Sequence, residues 1–300
     1  KNITMSKWTL FVAVNVAAFV VFLGLVMMFE MMVENEFLHV QKIETQNGLF
    51  ERKIEAKSVP GHSLFGFEND DSFNILAFGD MMMGRYVRTL MDKNGKEYIF
   101  EKLGKPSDLE DADIVFANLE GPIKGEGFKR QDGMVFGFHE DTAPFLKENG
   151  INLVSIANNH AVDQGWDGRA TTMTALKDAG VGFCGHPSEE DPASVYYGED
   201  DGKSFAFVCL QSVNFPLDME KAVELVKNVG DEVDYLIVSI HWGIEYSHKA
   251  NQKMQVVPAH EFVDAGADLV IGHHPHVVQN FEIYKGKFIF YSLGNFVFDQ

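Results

Sequence analysis

The sequence predicts a layered α/β domain, and three observations lead to this prediction. Six short apolar runs recur after residue 73, and each ends in glycine or polar residues. Amphipathic stretches between these runs end at or near glycine, as helix C-termini commonly do. The 300 residues are 46% hydrophobic and 23% charged. This ordinary globular composition excludes wholesale disorder, collagen and coiled coil.

The first segment predicts a membrane anchor. The run from Trp8 to Phe29 carries no charge and, at about 1.5 Å per residue, is long enough to span the roughly 30 Å hydrocarbon core. A cleaved signal peptide is the alternative, but its apolar region is shorter, about 7–15 residues, and ends at small residues. Because Lys1 and Lys7 precede the run, the positive-inside rule predicts a cytoplasmic N-terminus and an extracytoplasmic domain.

The sequence is therefore divided into three parts. Residues 1–29 form a cytoplasmic tip and a single transmembrane anchor, and the polar residues 30–72 form a stalk or linker. Residues 73–300 form the α/β domain. The sequence stops at Gln300 directly after a strand-like run, so we expect the domain to continue. We expect a single-pass protein of the cell membrane.

The elements of the domain follow from its hydrophobic pattern. Short apolar runs between helical stretches are typical of buried strands, and Lys285-Gly286 predicts a hairpin turn. The predicted strands are 74–79, 112–118, 152–157, 204–210, 235–240 and 269–272, with hairpin strands at 279–283 and 287–291. The predicted helices are 142–149, 168–179, 217–229 and 254–265.

Charge and cysteine content exclude several classes of protein. The formal net charge is −19, which argues against nucleic acid as a partner, because phosphate binding requires a basic face. Two cysteines are too few for a disulfide scaffold or a Cys-rich zinc module. We expect Cys184 and Cys209 to pack as small buried hydrophobic residues; a disulfide outside the cell is the alternative.

Polar residues directly follow several of the predicted strands. Ligands of open α/β sheets bind beyond the carboxyl ends of the strands, so these side chains are expected to converge on one site. Carboxylate, amide and imidazole groups without thiolate suit one or two divalent ions of Mn, Zn or Fe. The candidate metal ligands are Asp80, Glu120, Asn159, His241, His274 and His276.

Most of these candidates also have a structural explanation. His274-Pro275-His276 is the hardest to explain in this way, because residues two apart in an extended segment face the same side and proline stiffens the link. The structural alternatives are a helix cap at Asp80, a solvated turn at Glu120, a turn before a helix at Asn158-Asn159-His160, and a structural histidine at His241.

Six motifs occur in a fixed order along the domain. They are Gly79-Asp80 with Gly84-Arg85, Ala117-Asn118-Leu119-Glu120, Ala157-Asn158-Asn159-His160 with Asp163, His241-Trp242-Gly243-Ile244-Glu245, Gly272-His273-His274-Pro275-His276, and Ser292-Leu293-Gly294-Asn295-Phe296. Together they resemble the CapA family of capsule (poly-γ-glutamate) synthesis proteins, which is similar in fold to calcineurin-like metallophosphoesterases. The resemblance covers about residues 74–300 and implies an α/β/β/α sandwich of the metallophosphoesterase type.

The resemblance also implies a role for each candidate. Glu120 is similar to the bridging carboxylate of the metal site, and the other five candidates are similar to its remaining ligands. His160 is similar to the histidine that acts as general acid or oxyanion stabiliser. Arg85 and Glu245 are implied to contact substrate, since arginine binds a carboxylate or phosphate through two hydrogen bonds.

The chain departs from the phosphoesterase pattern at two positions. Met82 stands where the pattern has a histidine ligand, so a mononuclear site remains open. Ala161 stands where an acidic residue normally follows the histidine. We expect Asp163, three residues after His160, to orient that imidazole in its place.

Two functions are compatible with these residues. One is a membrane-anchored, metal-dependent hydrolase that cleaves a phosphoester or a γ-glutamyl bond. The other is a non-catalytic anchor subunit of a poly-γ-glutamate synthase complex that binds the anionic polymer. Lys124 to Arg130 is a candidate basic rim for such a polymer, or a solvated loop. Because the sequence has no Walker-type ATP loop, synthesis itself is not expected here.

Overall fold

The computed structural model describes residues 73–101, 109, 112–124, 134–188, 190 and 192–299. The predicted anchor and stalk lie outside these residues, as does most of the candidate basic rim, residues 125–130. Within the part of the chain that is described, no helix combines the length and the hydrophobicity needed to cross a bilayer.

The first sheet has five strands, and all of them are parallel. Three helices pack against it through one hydrophobic cluster. In spatial order its strands are β11 (Asn295–Val297), β1 (Ile75–Met81), β2 (Ile114–Leu119), β3 (Leu153–Ser155) and β4 (Gly182–Cys184). The helices are α1 (Arg85–Asn94), α2 (Thr142–Glu148) and α3 (Gly165–Ala179).

The second sheet has six strands, with four parallel strands at its centre and an antiparallel strand at each edge. Two helices cover it. In spatial order its strands are β5 (Val195–Asp200), β6 (Lys203–Gln211), β7 (Tyr235–His241), β8 (Leu269–His273), β10 (Lys287–Phe290) and β9 (Phe281–Tyr284). The helices are α4 (Met219–Gly230) and α5 (Val257–Asp264).

The two sheets pack face to face, because alternate residues of each strand face opposite sides. On β2, Phe116 faces the space between the sheets, where its ring stacks on Phe207 of β6 at 5.1 Å. Its neighbours Val115 and Ala117 face the helices of the first sheet. On β6, Val208 likewise faces the helices of the second sheet. The three hydrophobic clusters thus separate four layers, and the predicted α/β/β/α sandwich is confirmed.

A disulfide joins the two sheets across their shared core. Cys184 ends β4 of the first sheet and Cys209 lies on β6 of the second, with 5.5 Å between their Cα atoms. Both residues are fully buried, as expected. The expectation that they remain unbonded is corrected, because the packing of the two sheets brings them together.

The main elements agree with the sequence prediction, but strands β4, β5 and β11 and helix α1 were not predicted. Strands β4 and β11 have three residues each, too few to show a period. Helix α1 begins at Arg85, whose φ is +48°, and its N-cap Gly84 makes no side-chain capping bond. The usual start signal of a helix is therefore absent there.

Two glycines allow the close backbone approaches that shape the site. A Cβ at Gly79 of β1 would lie 1.9 Å from the carbonyl oxygen of Gly294, which precedes β11. A Cβ at Gly272 of β8 would lie 2.0 Å from the carbonyl oxygen of Tyr291. Both approaches therefore require glycine, and both occur next to predicted ligands, Asp80 and His274.

Candidate metal centre

Three predicted ligands meet where strands of the two sheets end. Asp80 lies near the end of β1, Glu120 directly follows β2, and His241 ends β7. One ligand atom from each of them lies within 4.8 Å of the other two. All three side chains are buried. The site therefore spans the two sheets.

The remaining predicted ligands surround these three. Nε2 of His276 lies 3.7 Å from Oε1 of Glu120, and its Nδ1 lies 3.4 Å from Oδ2 of Asp80. Oδ1 of Asn159 lies 2.7 Å from Nε2 of His241. His274 donates its backbone N–H to Oδ2 of Asp80 at 3.1 Å. All six candidate ligands are thus brought together.

The two buried carboxylates have opposite electrostatic environments. Burial alone would raise the pKa of Asp80, but hydrogen bonds from His273 and His276 and the charge of His241 hold it well below its usual range. Burial raises the pKa of Glu120 well above its usual range, and the charges of Asp80 and Glu245 raise it further. The surroundings of Asp80 therefore favour its ionised form, whereas those of Glu120 disfavour it.

The histidines are held largely in the neutral form that binds metals. Burial and the charge of His274 lower the pKa of His241 well below its usual range. Burial and the charge of His276 lower the pKa of His274 to about 4. Burial alone would lower the pKa of His276, but its hydrogen bond to Asp80 and the Asp80 charge raise it instead. Two of the three imidazoles are therefore neutral near pH 7.

The donor atoms fit a divalent cation. Both carboxylate oxygens of Glu120 and Nδ1 of His274 are buried without a hydrogen-bond partner among the described residues. A buried polar atom without a partner costs about 1–3 kcal/mol, and a bound cation would remove this cost. Hard carboxylate oxygens with neutral imidazoles suit Mn, Zn or Fe.

His160 faces the same centre with its ring held on two sides. Its Nδ1 lies 2.7 Å from Oδ2 of Asp163, and its Nε2 lies 3.8 Å from Oε1 of Glu120. The ring of Phe136 stacks on the imidazole at 3.9 Å. The backbone N–H of Phe136 donates to the same Asp163 oxygen at 2.6 Å. Asp163 is thus placed to orient the imidazole of His160.

The two predicted substrate contacts are placed differently. Glu245 follows β7, and its carboxylate lies within 4.8 Å of ligand atoms of His274 and His276. Arg85 does not join this group; its Nη2 pairs with Oδ1 of Asp299 at 2.9 Å, and its guanidinium lies 5.7 Å from the ring centroid of Phe136. Arg85 therefore lies at the rim of the site. Its guanidinium contacts Phe136, and Phe136 in turn stacks on His160.

Sequence reasoning assigned no role to two asparagines that hold the ligands in place. Asn118, fully buried on β2, donates its Nδ2 to Oδ1 of Asp80 at 2.8 Å and lies 3.2 Å from Nδ1 of His241. Oδ1 of Asn295 lies 2.9 Å from Nδ1 of His276. Both asparagines belong to the motifs quoted above. Their position next to the end of a strand could have indicated that they lie near the ligands.

Met82 is not part of the site. Its side chain is fully buried in the hydrophobic cluster of the first sheet, and its sulfur accepts the backbone N–H of Gly84 at 3.1 Å. The position that differs from the phosphoesterase pattern therefore contributes to packing.

The fold and site together define a two-sheet α/β protein with a buried carboxylate–imidazole centre. The model of the bacterial capsule synthesis protein family PGA_cap matches residues 74–300. The chain belongs to this family, which confirms the assignment predicted from the six motifs.

Two curated relatives have names that describe capsule biosynthesis. The capsule biosynthesis protein CapA of Bacillus anthracis is 31% identical over 77% of this chain and 61% of its own length. The PGA biosynthesis protein CapA of Bacillus subtilis is 30% identical over 77% of this chain and 65% of its own length. The chain thus spans less than two thirds of each relative.

One solved structure shows a similar fold. A hypothetical protein from Thermus thermophilus aligns with a TM-score of 0.50 and 21% identity, over 74% of this chain and 76% of that protein. This similarity concerns the fold alone.

Proposed function

We propose that this protein is a membrane-anchored component of capsule poly-γ-glutamate biosynthesis or export, with a metal-dependent hydrolase site. Its substrate bond is a phosphoester or a γ-glutamyl amide. The observation that carries the proposal is Glu120, whose two buried oxygens lack hydrogen-bond partners among the described residues while an oriented imidazole, His160, faces one of them at 3.8 Å.

The ligands and the acid have separate tasks in this proposal. A bound divalent cation would supply hydroxide at neutral pH by lowering the pKa of water from 15.7 to about 7. Asp80, Glu120 and His241 would hold the cation. Asp163 accepts the Nδ1–H of His160, so the Nε2 of the imidazolium form is directed into the site and can protonate the leaving group.

Membrane anchoring and an extracytoplasmic location belong to the same proposal. The uncharged run from Trp8 to Phe29 supports an anchor. The Cys184–Cys209 disulfide supports a location outside the cytoplasm, because disulfides persist in oxidising compartments. Mass spectrometry of alkylated protein from intact cells should show no free thiol at either cysteine; alkylation of both would contradict this location.

Partners of the protein follow from family membership. Names of the Bacillus relatives refer to capsule and PGA biosynthesis, which supports a poly-γ-glutamate partner and membrane-bound synthase subunits. The chain is strongly acidic, so binding of an anionic polymer requires local positive charge from the cation and from Arg85.

The decisive experiment compares the full chain with Glu120→Ala. Detergent-purified wild type is expected to contain Mn, Zn or Fe by elemental analysis and to hydrolyse a generic phosphodiester or poly-γ-glutamate. Glu120→Ala should lose both properties, whereas Glu282→Ala, a control glutamate on β9, should keep both.

A different result would favour the non-catalytic alternative. If metal-loaded wild type cleaves neither substrate and Glu120→Ala still binds the polymer, the hydrolase proposal is wrong. The observation that favours this alternative is the location of Met82 in the core, because the phosphoesterase pattern has a metal-binding histidine at this position.

A further inference from the structure

We propose that Glu245 is a metal ligand rather than a substrate contact. With His274 and His276 it forms a second cation position next to that of Asp80, Glu120 and His241. The inference rests on the proposed function, since it concerns the same site, and it specifies a two-cation centre.

The first argument is the geometry of the three side chains. One carboxylate oxygen of Glu245 and one ring nitrogen from each of the two histidines all lie within 4.8 Å of one another. His274 is 4% exposed, and its Nδ1 has no hydrogen-bond partner among the described residues. One carboxylate with two imidazoles is a common ligand set for transition metals.

The second argument is the position of Glu120 between the two groups. Its Oε1 lies 3.9 Å from Nε2 of His241 in the first group and 3.7 Å from Nε2 of His276 in the second. Both of its oxygens are free of hydrogen bonds within the described part of the chain. Oε1 of Glu120 therefore lies within reach of both groups, so Glu120 would be shared by cations held about 3.5–4 Å apart, the separation typical of two-cation centres.

The third argument is the backbone that presents these ligands. Tyr246 donates its backbone N–H to the carbonyl oxygen of Pro275 at 2.8 Å, which links the loop after β7 to the loop after β8. Tyr246, His274 and His276 have φ values of +61°, +94° and +58°. Such conformations cost about 1–3 kcal/mol for residues other than glycine and cluster at ligand sites. Here two of the strained residues are ligands themselves, and the third directly follows the ligand Glu245.

The fourth argument is charge. Two divalent cations carry four positive charges, and buried charges require compensation. Asp80 and Glu120 supply two negative charges. Of the two further carboxylates whose charges act on Glu120, Asp163 is paired with the imidazole of His160, so Glu245 is the one available to compensate a second cation.

The test counts metal ions in the full chain. Wild type, Glu245→Gln and the control Glu261→Gln, an exposed position on α5, are dialysed against Mn²⁺ and analysed for bound metal. We expect two ions per chain in wild type and in Glu261→Gln, and one in Glu245→Gln. Electron paramagnetic resonance should show coupled Mn²⁺ pairs in wild type and uncoupled Mn²⁺ in Glu245→Gln. Glu245→Asp, which keeps a carboxylate, should retain the pair.

Each result separates this inference from the proposed function. Two ions in Glu245→Gln, or one ion in both wild type and Glu245→Gln, would overturn the role of Glu245 and leave the hydrolase proposal intact. No bound ion in wild type would overturn both. Thermal unfolding of Glu245→Gln without metal is expected to match wild type, because the side chain is partly exposed.

Discussion

Two clusters of histidine and glutamate in this protein differ in whether the glutamate oxygens accept hydrogen bonds. Between α5 and the outer strands of the second sheet, Glu282 accepts from His260 at 3.0 Å and from Tyr291 at 2.6 Å, one bond on each oxygen. The His260 ring also lies flat on Tyr284 at 3.7 Å. In the candidate metal centre, neither oxygen of Glu120 has such a partner within the described residues.

The difference separates a structural cluster from a ligand site. The hydrogen bonds of Glu282 stay within the fold. Burial of Tyr291, together with its hydrogen bond to Glu282, raises the pKa of that tyrosine. Glu120 is fully buried near Asp80 and destabilises the protein without a cation. A cluster of histidine and glutamate does not by itself identify a ligand site. Buried polar atoms without hydrogen-bond partners do, because the fold leaves them available to a ligand.

The largest expected effect concerns the two histidines that pair with carboxylates. His160→Gln should lower kcat by about 10²–10⁴, because a positioned general acid contributes about that factor, while metal content stays at the wild-type level. His260→Gln, the matched change in the structural cluster, should leave kcat unchanged. Steady-state hydrolysis and elemental analysis measure both. Equal losses in the two variants would contradict the distinction between the clusters.

A smaller effect is expected at Asn118, which touches two ligands. Asn118→Ala should weaken metal binding by about 10–100-fold, since groups that orient metal ligands contribute about that much to affinity. Asn251→Ala is the control, because Oδ1 of Asn251 accepts the backbone N–H groups of Lys253 and Met254, and none of its hydrogen bonds within the described residues reaches a candidate ligand. Calorimetric titration with Mn²⁺ gives both affinities. An unchanged affinity in Asn118→Ala would show that its hydrogen bonds to Asp80 and His241 do not orient ligands.

The smallest effect concerns stability without metal. At neutral pH, Glu120→Gln should raise the free energy of unfolding by about 1–3 kcal/mol, because it removes a buried negative charge next to Asp80 and keeps the size of the side chain. Glu282→Gln should lower it, because both oxygens of Glu282 are hydrogen-bonded.

The pH dependence sharpens this prediction. The pKa of Glu120 is raised in the folded state, so folded wild type binds an extra proton between the usual and the raised pKa. Its stability contribution is present at low pH and is lost as pH rises through the raised value. The advantage of Glu120→Gln should therefore grow with pH. Urea unfolding in the presence of a chelator at several pH values tests this; an advantage that shrinks with rising pH would contradict the raised pKa.

Much of the fold was predictable because the strands follow simple rules. Strands β2, β6 and β7 are apolar runs buried on both faces, and a parallel sheet between layers requires such runs. Cys184 could not be paired from sequence alone, because the contact between β4 and β6 depends on how the two sheets pack.

The site was predictable where ligands directly follow strands and less so elsewhere. Asp80, Glu120 and His241 occupy strand ends, which topology brings together. The position of Glu245 depends on the hydrogen bond between Tyr246 and Pro275, and left-handed backbone at His274 is not encoded by residue type. Arg85 was assigned to substrate, but its pairing with Asp299 is a long-range contact that no local pattern indicates.

The disulfide between β4 and β6 has a consequence for how the protein matures. Asp80, Glu120 and Asn159 are presented by the first sheet, whereas His241, His274 and His276 are presented by the second. A crosslink between the sheets restricts the separation of these halves in the unfolded chain. Oxidation before metal uptake would therefore leave only the ligand-bearing loops to be organised by an incoming ion.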